Sequence, residues 1–134
     1  MKEWLGAAAV CLNEQDEILV VRGYDSPGWE VPSGGIEIGE TPEQCCEREV
    51  KEETGYDVKV VDHLHTKKTK IQEIKVTTYY FKTEVKGGSL GINDPDKTIA
   101  EAKWVSISEF LTLKHAYPED TPYIEKWMKK LYRS

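Results

Sequence analysis

The stretch "GGIEIGETPEQCCEREVKEETGY", residues 34–56, decides how this 134-residue chain is read. It holds seven acidic side chains and two basic ones, and five of the acids lie between Glu43 and Glu53. Local signals make its second half a helix. Thr41 suits the N-cap, Pro42 the first helical position, Glu43 and Gln44 the first turn, and Gly55 the stop after Thr54. At about 100° per residue, Glu52 and Glu53 fall within about 60° of Glu49, so three carboxylates share one face. Cys46 and Val50 form the adjoining apolar stripe, while Glu47 and Lys51 point the other way, towards solvent.

Carboxylates gathered this way repel, at roughly 0.2–0.5 kcal/mol for each i,i+4 pair. Two compensations are open. Arg48 stands four residues before Glu52 and can pair with it. A hard divalent cation, Mg²⁺ or Mn²⁺, can take the remaining carboxylate oxygens. The plain alternative is a solvated, salt-bridged helix face. Against it stands the preceding "PSGGIEIGE", in which Gly34, Gly35 and Gly39 allow the backbone to pass close to a ligand.

Outward from this helix the chain reads as strands. Leu5–Leu12 and Ile18–Arg22 are short apolar runs around the turn signal "NEQD" and resemble a hairpin. Residues 23–40 are mostly loop, with an extended piece at Trp29–Val31. Val58–Lys70 and Ile74–Lys86 read as long strands, the second containing "VTTYYF". "GGSLGINDPD" is a loop, Ala100–Ile107 a strand, and Ser108 the cap of a short helical turn through Leu113. A last helix starts at Thr121-Pro122, with Ile124, Trp127, Met128 and Leu131 at i, i+3, i+4 and i+7. The pattern is α+β, a mixed sheet covered by helices on both faces, in one domain spanning residues 1–134.

A net charge of −6 argues against nucleic-acid polymers and anionic membranes as partners, but leaves room for a small anionic ligand met by local cations. The cysteines Cys11, Cys45 and Cys46 are odd in number and lack C-x-x-C spacing, which suggests buried reduced thiols and a cytoplasmic location. The apolar run near the N-terminus is too short to span a membrane and reads as a first strand.

With Gly34 first, the opening stretch reads G-x5-E-x7-R-E-V-x-E-E-x-G-Y. Gly34, Glu40, Arg48, Glu49, Val50, Glu52, Glu53 and Gly55 match the signature of the Nudix hydrolases, the MutT-like family. Only Tyr56 departs from it, at a structural position that is usually aliphatic. The resemblance implies a Nudix-type α/β/α sandwich with one catalytic helix and a C-terminal helix. It implies Mg²⁺-dependent cleavage of the pyrophosphate in a nucleoside diphosphate linked to some group X. Carried over, Glu49, Glu52 and Glu53 are the metal-site carboxylates, with Glu49 and Glu53 as direct ligands and the Ser33 carbonyl adding an oxygen. Glu40 is a support or outer ligand, and Arg48 orients a glutamate.

Further candidates follow the same resemblance. A loop acid in "GINDPDKTIAEAKWVS" is expected from Glu101, with Asp94 and Asp96 as alternatives. Arg22 is a candidate phosphate contact, Glu30 a neighbour of the metal loop beside Gly34 and Gly35, and Trp29 and Tyr24 are stacking surfaces for a base. His63 and His65, in "HLHTKKTK", read with its lysines as a solvated strand. The alternative has Lys67, Lys68 or Lys70 approach a phosphate. Related domains often pair, and Trp4 with "YIEKWMKKLY" offers either a homodimer interface or a helix laid on the core. The missing subclass motifs tilt the substrate towards (deoxy)nucleoside triphosphates, oxidised ones included. The rival function is a nucleotide sensor that binds without hydrolysis, against which the intact acids stand. A nucleotide panel incubated with Mg²⁺ separates the two.

Overall fold

Along β1 (Lys2–Cys11) the side chains alternate between two buried clusters, and this strand organises the molecule. Ala7, Ala9 and Cys11 face one way and Ala8 and Val10 the other, the period-2 rule for a strand covered on both sides. The computed structural model describes residues 2–93, 95 and 97–132, the side chains of 131 and 132 excepted.

The remaining elements are β2 (Ile18–Gly23), β3 (Trp29–Glu30), β4 (Ser33–Gly35), α1 (Pro42–Thr54), β5 (Tyr56–Ile71), β6 (Ile74–Gly88), β7 (Ile99–Val105), α2 (Ile107–Thr112) and α3 (Thr121–Tyr132). A 3-10 turn at Pro118–Asp120 leads into α3. One sheet has the order β4-β1-β6-β5, with β1 and β6 parallel and the other pairs antiparallel. The second, β3-β2-β7, is antiparallel. The expected α+β class with a mixed sheet is what the chain forms, with the strands divided between two sheets. Cys45, Cys46 and Val50 of α1 cover the Ala7–Ala9–Cys11 face. Phe110 of α2 and Ile124 and Met128 of α3 cover the Ala8–Val10 face. The C-terminal helix therefore lies on the core, the second of its two expected uses.

Helix α1 begins and ends where its sequence says. Thr41 Oγ1 accepts from Gln44 N at 3.1 Å, and Gln44 Oε1 accepts from Thr41 N at 2.9 Å, a capping box. Gly55 closes it at φ 90°, a left-handed conformation that glycine adopts freely. The cysteines are free and buried, as expected.

Four local expectations are corrected. The first two strands share only the bridge Leu12↔Ile18, because β2 turns away to pair with β3 and β7. Ser33–Gly35, expected as loop, is a strand against Gly6–Ala8. Ser106, not Ser108, caps α2, and its hydroxyl accepts from Glu109 N at 3.1 Å. Starting there places Phe110 in the core. Glu47 does not point to solvent, since its Oε2 accepts from Val60 N at 2.9 Å, where β5 slips register against β6.

Candidate active site

Arg48 is the hub of the acidic face. Its Nε and Nη2 donate to the two oxygens of Glu40 at 2.7 and 2.9 Å, a two-pronged contact. Nη1 donates to Glu49 Oε1 at 2.6 Å and Glu52 Oε2 at 3.3 Å, and Nη2 also to the Gly35 carbonyl at 3.0 Å. Glu37 adds an ion pair at 3.3 Å. One guanidinium thus offsets the repulsion of several carboxylates, and the anticipated Arg48–Glu52 pair is one strand of a larger network. Arg48 also holds the Glu40 carboxyl below its ordinary range, since its hydrogen bonds favour the charged form.

Glu53 is 8% exposed, and its Oε1 accepts from the Ser33 amide at 3.1 Å. This bond joins α1 to β4. Gly34, next along β4, explains a glycine of the signature. A Cβ there would fall 2.2 Å from Glu49 Cδ and 2.4 Å from its Oε1, so any side chain displaces that carboxylate. The Gly34 carbonyl accepts from the Cys45 thiol at 3.4 Å, and burial among acids pushes that thiol up to about 12, an inert state.

The donors on this face are oxygen atoms of carboxylates, which suits Mg²⁺ or Mn²⁺ rather than softer metals. Among the described residues no three His, Cys, Asp or Glu side chains already converge on one cation position. In donor chemistry the residues fit a hard cation, and Gly34 leaves the space in which the Glu49 carboxylate lies.

The other candidates are dispersed. Glu101 lies opposite Arg22 in the β2–β7 register and pairs with it at 3.6 Å. Its carboxylate therefore faces a cation rather than an anticipated metal, and Arg22 is partly neutralised. Asp94 and Asp96 lie outside the described residues. Arg22 also stands over the Trp29 ring at 5.8 Å, and Lys103 Nζ at 4.5 Å. Tyr24 is 69% exposed. His63 bonds Thr66 and meets Phe81 edge-on, and His65 stacks on Tyr123. Lys67 leaves the solvated row, binding Asp120 Oδ1 at 2.8 Å, while Tyr80 donates to Asp120 Oδ2 at 2.9 Å. Tyr56, the departure from the signature, accepts from Trp104 Nε1 at 3.0 Å and meets that ring edge-on, a structural role.

Two cavities flank this face. One, of about 460 Å³, includes Gly23, Ser26, Glu30, Glu53 and Tyr117 and so reaches α1. The other, of about 340 Å³, lies on the α3 side, walled by Trp4, Trp29, Tyr80, Phe110, His115 and Tyr117. Glu30 and Tyr117 belong to both. Burial raises the Glu30 carboxyl and the Tyr117 phenol and lowers the His115 imidazole, each towards its neutral form. Trp4 folds back over the strand, and a Cβ on Gly6 would lie 2.1 Å from its ring, so Gly6 is what lets the indole lie there. Sequence reasoning missed Tyr80, His115, Tyr117 and Asp120, because long-range pairing brings them together and no local spacing marks them.

The fold, strands in two sheets covered by helices, is shared by solved structures. UDP-X diphosphatase superposes with a TM-score of 0.78 at 22% identity, over 100% of this chain and 66% of that one. A MutT protein from Methanosarcina mazei Go1 gives 0.74 at 22% identity, over 99% and 97%. The NUDIX domain model matches residues 2–128, and the chain belongs to that family. Among curated relatives, the Bacillus subtilis (strain 168) protein named "Putative 8-oxo-dGTP diphosphatase" is 34% identical over 102 residues, 75% of this chain and 65% of its own. "Nudix hydrolase 5" of Arabidopsis thaliana is 34% identical over 80% of this chain and 37% of its own. The chain thus spans less than two thirds of the length of these relatives.

Proposed function

We propose that the protein hydrolyses the pyrophosphate linkage of a small nucleotide, a (deoxy)nucleoside triphosphate or an oxidised one, with Mg²⁺ and with Mn²⁺ as a substitute. The observation that carries this reading is the acidic face of α1, with Arg48 bonded to Glu40, Glu49 and Glu52 and with Glu53 bonded to the Ser33 amide. The name of the Bacillus subtilis relative supports the triphosphate, and the net charge of −6 disfavours polymeric nucleic acid.

Glu49 and Glu53 are the residues to hold the cation, with Glu52 and the Ser33 carbonyl as further oxygens. When bound, such an ion neutralises phosphate charge and lowers the pKa of water. The chain supplies the rest. Arg48 keeps the carboxylates oriented, a role that outer residues play at metal sites. Gly34 leaves the space that the Glu49 carboxylate takes, and Gly35 offers its carbonyl to Arg48. The carboxylate of this face that is nearest the attacking water takes its proton. Arg22, freed from Glu101, meets the phosphate oxygens through its fork of donors. The aromatic cavity holds the base end. The reaction takes place in the cytoplasm.

The test is a nucleotide panel with and without Mg²⁺, read as released phosphate and pyrophosphate. Cation-dependent turnover of at least one nucleotide is expected, and removing the cation with a chelator abolishes it. Tight nucleotide binding with no turnover under any cation would establish the sensor reading instead.

A further inference from the structure

The floor of the aromatic cavity is a face of the sheet that the strand register fixes. Across β1, β6 and β5 the rows Trp4–Val76–Thr69 and Gly6–Thr78–Lys67 lie side by side, so their side chains share one face. Gly6 has no side chain, and the Trp4 indole takes the room it leaves. Lys67 rises from this floor, and among the described residues it is the one lysine or arginine that lines the cavity.

The Lys67 ammonium is anchored at one point. Its Nζ donates to Asp120 Oδ1 at 2.8 Å, and Asp120, 9% exposed, takes the Tyr80 hydroxyl on its other oxygen at 2.9 Å. Glu119 stands 3.7 Å from Nζ, an ion-pair distance longer than a hydrogen bond. An ammonium carries three donors. Among the described residues Asp120 is the one acceptor that Lys67 bonds, so donors are left over on a group whose position is already set. The Lys67 side chain is 25% exposed, so it is not sealed beneath its neighbours.

Charge decides which acceptor suits such a donor. Asp120 and Glu119 together outweigh the single positive charge of Lys67, so a phosphate would meet two acids beside one cation. A neutral acceptor, the carbonyl oxygen of a flat ring lying between the aromatic walls, takes the donor without that repulsion. An amino group in the same place would set donor against donor.

We propose that Lys67 is a specificity-determining residue of the aromatic cavity, its ammonium, anchored by Asp120, donating a hydrogen bond to an exocyclic carbonyl oxygen on a planar heterocyclic ring. The cavity then selects oxo rings over amino rings of the same outline. That the ring is a nucleobase rests on the function proposed above.

Nucleosides, which lack phosphate, isolate this contact when no divalent cation is present. Uridine is compared with cytidine, and inosine with adenosine, by NMR titration of the wild type, Lys67→Met, Lys67→Arg and the double variant Lys67→Met with Asp120→Asn. The wild type binds at least one oxo nucleoside about tenfold more tightly than its amino counterpart. Lys67→Met loses that preference by weakening the oxo nucleoside alone, and Lys67→Arg, which still donates, regains part of it. A lysine that only ties β5 to the turn before α3 would weaken both members of a pair alike, and that result overturns the proposal. So does a Lys67→Met variant that discriminates as the wild type does, or a wild type that prefers neither oxo ring. Should Lys67→Met fail to fold with the Asp120 charge uncompensated, the double variant, which removes both charges, decides the same question. Preference without nucleotide hydrolysis would refute the hydrolase reading alone, and hydrolysis without preference would refute this inference alone.

Discussion

The two sides of β4 make opposite uses of polar atoms. On the α1 side, charge is dense and bonded: Arg48 reaches Glu40, Glu49, Glu52 and the Gly35 carbonyl, and Ser33 N bonds Glu53. On the α3 side, aromatic rings stand beside a single Lys67–Asp120–Tyr80 network, and polar atoms of Thr69, His115 and Thr121 are left without partners. A region that must hold a strongly solvated ion benefits from preset charge and geometry. A region that takes a planar group benefits from aromatic walls with a few placed polar groups. The comparison predicts that substitutions on the first side act on turnover and those on the second on substrate affinity.

The largest effect is expected on the acidic side. Glu53→Gln and Glu49→Gln each lower kcat by at least about a hundredfold, the scale for losing one group that stabilises developing charge. Circular dichroism should show an unchanged fold. Full activity in both variants would remove the assignment of these residues. Next, Arg48→Lys keeps the positive charge but loses the fork, and weakens Mg²⁺ affinity by roughly ten- to a hundredfold in a metal titration. On the aromatic side, Trp29→Leu raises KM by about tenfold with a smaller change in kcat, if stacking on a base is its role. Equal losses in kcat would break the comparison between the two sides.

The smallest effects are in pH dependence, and they have opposite signs. Arg48 depresses the Glu40 carboxyl below its ordinary 4.5. The stability it contributes is therefore present above that pH and is lost as pH falls through the depressed value. Urea titrations of wild type and Glu40→Gln should differ at pH 7 and converge in acid. Burial raises the Glu30 carboxyl. Its contribution is fully present below the ordinary value and is lost as pH rises through the raised one. Glu30→Gln should accordingly stabilise the protein at pH 7 relative to the wild type and lose that advantage in acid.

The acidic side was legible because its determinants are local. Thr41, Gln44, Pro42 and Gly55 fix the ends of α1 from within a few residues, and helical spacing then places Glu49, Glu52 and Glu53 together. Reading failed where a distant partner decides. Ser33-Gly34-Gly35 has weak strand propensity, yet pairs because β1 offers Gly6–Ala8 and Glu53 takes the Ser33 amide. Glu47 turns inward because β5 presents the Val60 amide. Lys67 finds Asp120, 53 positions away in sequence. The aromatic cavity belongs wholly to this second kind, drawing on β1, β3, β5, β6 and the chain after β7. No spacing in the sequence announces it.

The C-terminal end of α1 has its own distant support. Gly91 N donates to the Thr54 carbonyl at 3.0 Å, and Asn93 N to the Glu52 carbonyl at 2.8 Å. The last turn, which carries Glu52 and Glu53, is therefore clasped by a segment some forty residues downstream. In hydrogen-exchange terms, the Glu52–Glu53 end of the helix is expected to open with that segment rather than with the capped start at Thr41. Changes in the length or sequence of 89–93 would shift Glu52 and Glu53 without replacing either, which makes that segment a remote handle on the acidic face.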